Sequence, residues 1–509
     1  MESRTRNSIK NAMFSIAFQI VTVLANFAVK TAFIKFLGIQ YAGMSALFTD
    51  ILSVLSMAEL GFGTAISYAL YAPLYKNDQA QIKKLMDFYK GIYRVVATIV
   101  FSAGILCMPF LGYLVKDVPD IKENITLVFA FFVIQTTASY LLVYRATLLE
   151  ANQQKSIVCG VGIVFSIIGV IIEVSILAIF KNYLFYLVTS VLVIIMKNIA
   201  ISVVAQREFP ILKDKCTEHL TKQEKNEVTK DVKALAIYRI GNTLQVSTAS
   251  IIISILIDTV SVGLLSSYRL ITTNIDKIFG QIFEAMKPSV GNLAVSSSTK
   301  HQYDVFKRMC FLSFFCGNLI VVATFVLVNP FIQIWIGSEY LLDMRIVMML
   351  VTDMYILTMA RPYEAFRIAN RLFLKGKYRP IVMTAINLVL AIILGRRYGI
   401  FGVLLATVIA RVVTHVWYDP WLIYKDVFKM PFIKYLYTKA KYLVFVFLNC
   451  ILIYYLSGFI KSGSIYFDFI LKTFLVAVLP SVILLLVFYK NKEMRWFVNI
   501  IKNWIKKVR

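Results

Sequence analysis

Charge is scarce in this sequence. Of 509 residues only 16% are Asp, Glu, Lys or Arg, against about a quarter in a soluble globular domain, which argues against a water-soluble fold of this length. The acidic sign is the scarcer, with 28 Asp and Glu facing 54 Lys and Arg. Three histidines, His219, His301 and His415, lie far apart, so no metal-ligand spacing can be assembled from them. The six cysteines (Cys107, Cys159, Cys216, Cys310, Cys316 and Cys450) include no C-x-x-C pair. They read as small apolar core residues and not as a zinc or redox device. A glycine-rich phosphate loop, a nucleophile elbow and a paired-carboxylate motif are missing too. No cofactor and no metal site is implied.

What fills the chain instead is apolar: 59% of residues are hydrophobic, gathered into runs of about 20 or more, each long enough to cross a hydrocarbon core of ~30 Å. No strand-like alternation competes with helices. The expected fold is an all-α polytopic membrane protein with fourteen spans near 12–34, 43–72, 91–115, 125–149, 155–180, 183–204, 233–256, 259–286, 306–336, 345–373, 379–395, 398–424, 437–460 and 466–489. The basic start MESRTRNSIKNA runs into the first span without a small-residue cleavage site, which fits an uncleaved span.

The distribution of Lys and Arg sets the orientation. With the N-terminus in the cytoplasm, the inner segments hold 37 of them and the outer loops eight, a strong positive-inside bias that also places the C-terminus in the cytoplasm. The net charge of +26 is therefore a topology signal directed at anionic membrane lipid, and no nucleic-acid partner is expected. The tail MRWFVNIIKNWIKKVR puts its aromatic and aliphatic residues on one helical face, the pattern of an anchor lying in the membrane interface.

The longest polar segment divides two halves that resemble each other. Gly43 matches Gly263, Pro109 matches Pro330 and Arg145 matches Arg367, at offsets of 220, 221 and 222. Six spans per repeat give both halves the same sense in the membrane, the parallel-repeat arrangement of a two-bundle carrier. The expected domains are a six-helix bundle over 1–206, a cytoplasmic linker over 207–232, a second bundle over 233–428, two additional helices over 429–490 and the basic tail over 491–509.

Ionisable residues inside spans are functional candidates. In span 8, Ser266, Arg269, Thr272, Thr273, Asp276, Lys277, Gly280 and Glu284 fall on one face of about 140°. Span 7 adds Arg239 with Asn242 and Thr243. The competing reading for both faces is a set of buried interhelical ion pairs. Lys30, Lys197, Arg361 with Glu364, and Arg411 are isolated charges or a close pair, with Asp353 and Glu173 available as partners; Lys197 could instead snorkel to the interface. In AELGFGTAIS, residues 58–67, Glu59 shares a helical face with Thr49, Ser56, Gly63 and Ser67. Glu59 is either a structural partner for a cation or a protonatable group facing a cavity, and Gly61 and Gly63 would permit bending or close helix contact.

FLGIQYAGMSALFTDILSVLSMAELGFGTAISYALYAPL, LLEANQQKSI and YGIFGVLLATVIAR resemble the Wzx-type polysaccharide flippases of the multidrug/oligosaccharidyl-lipid/polysaccharide (MOP) exporter superfamily, over nearly the whole chain. The resemblance implies two six-helix bundles around a central cavity opening alternately to either side of a bacterial cytoplasmic membrane. It also implies export of an undecaprenyl-diphosphate-linked oligosaccharide, with a polysaccharide polymerase and glycosyltransferases as possible partners. Arginine is suited to holding a diphosphate bidentately. Arg269 first, then Arg239, Lys277, Arg361, Arg411 and Lys30, are the residues expected to hold it; Glu59, Asp276 and Glu284 are the candidates for ion coupling. An inside-negative potential would favour outward movement of two negative charges by about 4–5 kcal/mol per 100 mV, from roughly 2.3 per charge. The alternatives are a multidrug or lipid II exporter of the same superfamily, or a membrane glycan polymerase or ligase. An enzyme of that kind needs a large outer loop or a cytosolic domain; the outer loops here are short and 207–233 is too small for a nucleotide-sugar fold.

Overall fold

In a computed structural model of the chain, residues 2–59, 62–116, 121–214, 220–370, 372, 375–376 and 378–508 are described, with only the backbone described at 2–9, 58, 64–65, 226–239, 242, 246, 295, 500–501 and 503–508. The described chain is helical, with no strand. By packing it divides into two compact units, Met1–Gly263 and Leu264–Arg509.

The first unit holds α1 (Glu2–Phe36), α2 (Ile39–Leu55), α3 (Phe62–Lys76), α4 (Gln79–Cys107), the short α5 (Leu111–Leu114), α6 (Ile125–Tyr140), α7 (Val143–Ala151), α8 (Lys155–Phe180), α9 (Tyr183–Glu208) and α10 (Lys222–Leu256), and the start of α11 (Thr259–Ser296). Helix starts follow their side chains: Asn124 and Asn182 cap α6 and α9, and Thr221 with Glu224 forms a capping box on α10, each satisfying amides that have no intrahelical partner. Small residues let these helices approach, as expected where lipid supplies no hydrophobic drive. A Cβ at Gly162 of α8 would lie 2.7 Å from the Phe18 ring of α1, and one at Gly104 of α4 would lie 2.7 Å from Val133 of α6. The closest approach is between α2 and the start of α11, where a Cβ on Gly43 would lie 2.1 Å from the Thr259 carbonyl oxygen and one on Gly263 would lie 2.6 Å from that of Ile39. The two glycines matched by the sequence repeat therefore face each other.

The second unit continues α11 and adds α12 (Thr299–Trp335), α13 (Met344–Ala369), α14 (Arg379–Ile423), α15 (Ile433–Ser457), α16 (Ile465–Phe488) and α17 (Lys492–Val508). Helix α14 comprises two arms joined at Gly399, whose φ of 59° and ψ of −140° are open to glycine and to few other residues; the arms correspond to the expected spans 379–395 and 398–424. Helix α12 is the central post, packed by α13, α15, α16 and α17. Asn449 Nδ2 donates to Asn318 Oδ1 at 3.0 Å where α15 meets α12, both side chains buried, and Ser313 Oγ donates to the Thr358 carbonyl at 2.6 Å across α12 and α13. Helix α17 rests its first turns on α12, with Phe497 on Phe315 and the Arg308 guanidinium over the Trp496 ring.

Among the described residues nine helical segments are long and apolar enough to cross a membrane. One of them holds both arms of α14. The expected spans outside this set are 43–72, 233–256, 259–286 and 345–373, which are interrupted, include less fully described residues, or carry Arg269, Asp276, Arg361 and their neighbours. With the α14 arms counted separately, these four complete the fourteen-span reading, so the chain is a multi-pass membrane protein.

The span expected over 43–72 is not one helix. It breaks after Leu55 into a 3₁₀ turn, Ser56–Glu59, and resumes at Phe62 as α3. A 3₁₀ turn advances about 120° per residue where an α-helix advances 100°, so four residues shift the phase by roughly 80°. The single face drawn through Thr49, Glu59 and Ser67 therefore does not exist. A smaller break occurs in the span over 125–149, where Leu142 adopts φ 70° between α6 and α7.

Candidate functional site

In the second unit the polar face of α11 meets α13. Arg361 Nη2 donates to Asp276 Oδ2 at 2.6 Å, and each side chain keeps about a fifth of its surface exposed (21% and 22%). The approach is possible because position 280, one turn beyond Asp276, is glycine: a Cβ there would lie 3.2 Å from the Arg361 Cζ and Nη2. The carboxylates of Glu364 and Glu284 also act on this guanidinium. Glu284 is further engaged by Lys287 at 2.5 Å. A residue expected to bind an anion and one expected to couple an ion are thus a single ion pair, formed through a notch. Lys277 is exposed one residue further on, and Arg269 is half-buried two turns earlier on α11.

The other cations are placed differently. Arg411 on the second arm of α14 is buried, and its Nε meets Asp353 of α13, one of the two acids expected to find a cation partner. This pair ties α14 to α13. Lys30 is half-buried on α1. Arg239 lies on α10, but its side chain is outside the described residues.

In the first unit Glu59 ends the 3₁₀ turn and accepts from the Tyr93 hydroxyl of α4 at 3.4 Å, with Tyr140 of α6 alongside. The backbone of α10 packs against the same turn. Gly63 opens onto the Tyr93 hydroxyl, 3.7 Å from where its Cβ would be, whereas Gly61 lies outside the described residues.

Sequence reasoning missed one charged cluster. Where α13 ends and both arms of α14 come together, Arg367 Nη1 donates to Asp419 Oδ1 at 3.1 Å, Arg379 Nε lies 3.4 Å from the same oxygen, and His415 Nε2 lies 3.5 Å from Oδ2. All four side chains are buried, Asp419 completely. Arg145, the repeat counterpart of Arg367, holds Ser202 and, with the Gln206 amide oriented to accept, its Oε1 at 2.7 Å on α9. In each half this arginine ties the loop-proximal helix to that half's last helix. The matched arginines were visible in the sequence; the lone Asp419, in a WYDPW stretch, was not connected to them.

No family model matches the sequence, and none of the curated proteins matches it. Solved structures do. The lipid II flippase MurJ in an inward closed conformation superposes over 94% of this chain and 99% of its own, with a TM-score of 0.66 and 14% identity. The chain shares this fold. An inward-facing multidrug resistance MATE transporter of the MOP superfamily covers 79% of this chain and 95% of its own, with a TM-score of 0.58 at 12% identity. A MOP transporter from Pyrococcus furiosus, described as having a binding pocket of reversed polarity that suggests a different function, covers 81% and 93%, with a TM-score of 0.53 at 13% identity. The shared fold thus extends over 94% of this chain in the flippase comparison, and the named neighbours are transporters and flippases.

Proposed function

We propose that this chain is a flippase that exports an undecaprenyl-diphosphate-linked oligosaccharide across the bacterial cytoplasmic membrane for surface polysaccharide biosynthesis, by alternating access, with both termini cytoplasmic. The observation that carries the reading is the Arg361–Asp276 pair in its Gly280 notch. Arg361 spends one N–H on Asp276 and stays partly exposed, so the rest of its planar fork remains available for the two-pronged contact a phosphate offers. Arg269 and Lys277 on α11 would supply further positive charge. Asp276 then acts as a stand-in anion, neutralising Arg361 when no cargo is present and yielding it when a diphosphate arrives. A carrier of cationic drugs would gain nothing from such a pair.

A lipid II exporter is the second reading, favoured by the extent of the match to MurJ. It would use the same diphosphate contact and differ in the sugar. The test is translocation by the purified full-length chain in proteoliposomes, with an undecaprenyl-diphosphate oligosaccharide and lipid II as parallel cargoes. Arg361→Met should slow translocation by about 10- to 150-fold, from roughly 1.5–3 kcal/mol for a hydrogen bond to a charged group. Wild-type rates in the Arg361→Met protein, or transport of cationic dyes with neither lipid moved, would overturn the proposal. Faster movement of lipid II than of the oligosaccharide would select the second reading.

A further inference from the structure

Three lysine-bearing segments converge in the second unit. The start of α12, the start of α15 and the residues joining α16 to α17 enclose a cavity of about 430 Å³ with Tyr424 of the turn after α14, within the range of about 300–1,000 Å³ typical of ligand clefts. Five lysines line it, Lys307, Lys439, Lys441, Lys490 and Lys492, with Glu493 as the lone carboxylate of the lining. Lys307 is already engaged, 3.1 Å from Asp304 and 3.9 Å from Glu493.

Lys439 sets the cavity apart from an ordinary basic surface. Its Nζ is buried and has no hydrogen-bond partner among the described residues; it sits between the rings of Tyr363 and Tyr435, 5.3 and 5.5 Å from their centroids. Ring faces attract a cation but do not accept its three N–H bonds as an oxygen would. An unfilled buried ammonium is costly, and a topology signal would be served as well by an exposed lysine. Lys441 lies over the Phe488 ring at 5.4 Å and is exposed at the rim with Lys490. Beside the lysines, α15 exposes Leu436, Tyr437, Leu443 and Phe447, an apolar strip on which an acyl chain could lie while its head group enters the cavity.

We infer that this cavity binds the phosphate head group of an anionic phospholipid, with Lys439 as the buried contact and Lys441 and Lys490 at the rim. The site is separate from the Arg361–Asp276 pair and does not depend on which cargo the protein carries. It gives α15 and α16, which have no counterpart in the repeat, a ligand of their own.

The experiment takes the purified full-length chain from phosphatidylcholine vesicles containing phosphatidylglycerol and counts the lipid it retains in detergent by native mass spectrometry. Wild type should retain phosphatidylglycerol in preference to phosphatidylcholine. Lys441→Gln with Lys490→Gln, both at the exposed rim and therefore safe for folding, should weaken retention roughly thirtyfold, at about fivefold per lysine near an anionic surface. Lys439→Gln should weaken it too, and Lys439→Arg should restore it; Lys116→Gln with Lys461→Gln, in loops outside the cavity, should change nothing. Equal retention by wild type and the rim variant would overturn the inference. So would stabilisation of the wild type against heat by inorganic phosphate as large as that by phosphatidylglycerol, since the site would then be for a free anion.

Discussion

Replacing Gly43 with alanine tests the tightest contact in the first unit. The added methyl would lie 2.1 Å from the Thr259 oxygen, 3.0 Å from its carbonyl carbon and 3.1 Å from the Gly263 nitrogen. A carbon–oxygen contact needs about 3.3–3.6 Å, so α2 and the start of α11 must part by more than an ångström. All three opposing atoms are backbone, and no rotamer change can relieve them. Overpacking of this kind costs about 1–3 kcal/mol, and the absence of a yielding side chain puts this site at the upper end. Gly91 on α4 is the control, because it is exposed and no atom of the described residues lies within 4 Å of its Cβ position; alanine there should stabilise by about 0.5–1 kcal/mol through helix propensity. The two variants should therefore move thermal unfolding of the full-length protein in detergent in opposite directions. If the α2–α11 crossing opens during transport, a penalty of 1–3 kcal/mol felt in one conformation shifts the population by about 5- to 150-fold. A cysteine at Ile39, in a background without the native cysteines, should then react faster with a water-soluble maleimide in the Gly43→Ala protein. Gly43→Ala as stable as Gly91→Ala would refute the reasoning.

Asp419→Asn should be among the most destabilising single changes, by about 3–5 kcal/mol, because it leaves two buried guanidiniums without their carboxylate; thermal unfolding reads this, and a shift no larger than that of Asp353→Asn would count against it. Glu59→Gln separates the two roles open to this residue. If Glu59 couples protons, flipping in vesicles loses its dependence on a pH gradient, whereas unchanged dependence removes Glu59 from coupling. The capping box gives a pH prediction. The backbone N–H and then the hydroxyl of Thr221 hold the Glu224 carboxyl below the usual carboxylate range, helped by Gln81. Its stabilisation of the α10 start is therefore complete above that range and is lost as pH falls through the lowered value. Hydrogen exchange at the first α10 amides should show this acid transition, and Thr221→Ala should move it to higher pH; an unmoved transition would exclude the cap as its cause.

The spans were legible because hydrocarbon imposes one requirement, a long apolar helix, and the sequence meets it repeatedly. The 379–395 and 398–424 arms were separable since Arg396, Arg397 and Gly399 interrupt the apolar run. The break inside 43–72 was only half legible. Glycines marked the place, but whether a glycine bends a helix or admits a neighbour, as Gly280 admits Arg361, depends on a partner the local sequence does not name. The same limit governed the charges. Asp353 was recognised as a partner without its arginine, and Arg367 was matched to Arg145 without Asp419, because pairing is decided by helix packing across dozens of residues. The lysine cavity was hidden for a further reason: its segments had already been accounted for by orientation in the membrane.

Helices α11 and α12 contain 38 and 37 residues, which at 1.5 Å per residue is about 57 and 56 Å, nearly twice the ~30 Å hydrocarbon core. Their shared turn is fastened by Gln302, whose amide donates to the carbonyls of Ser297 and Ala294 at 3.0 and 3.4 Å. The pair is long enough to act as a pointer projecting beyond a hydrocarbon core. A pointer magnifies: a tilt of about 5° at mid-membrane would carry a tip some 35 Å away through roughly 3 Å, given the rise of 1.5 Å per residue. A rearrangement too small to see around Arg361 would be readable at Ser298, the tip of the pair, where a probe does not disturb the ion pairs.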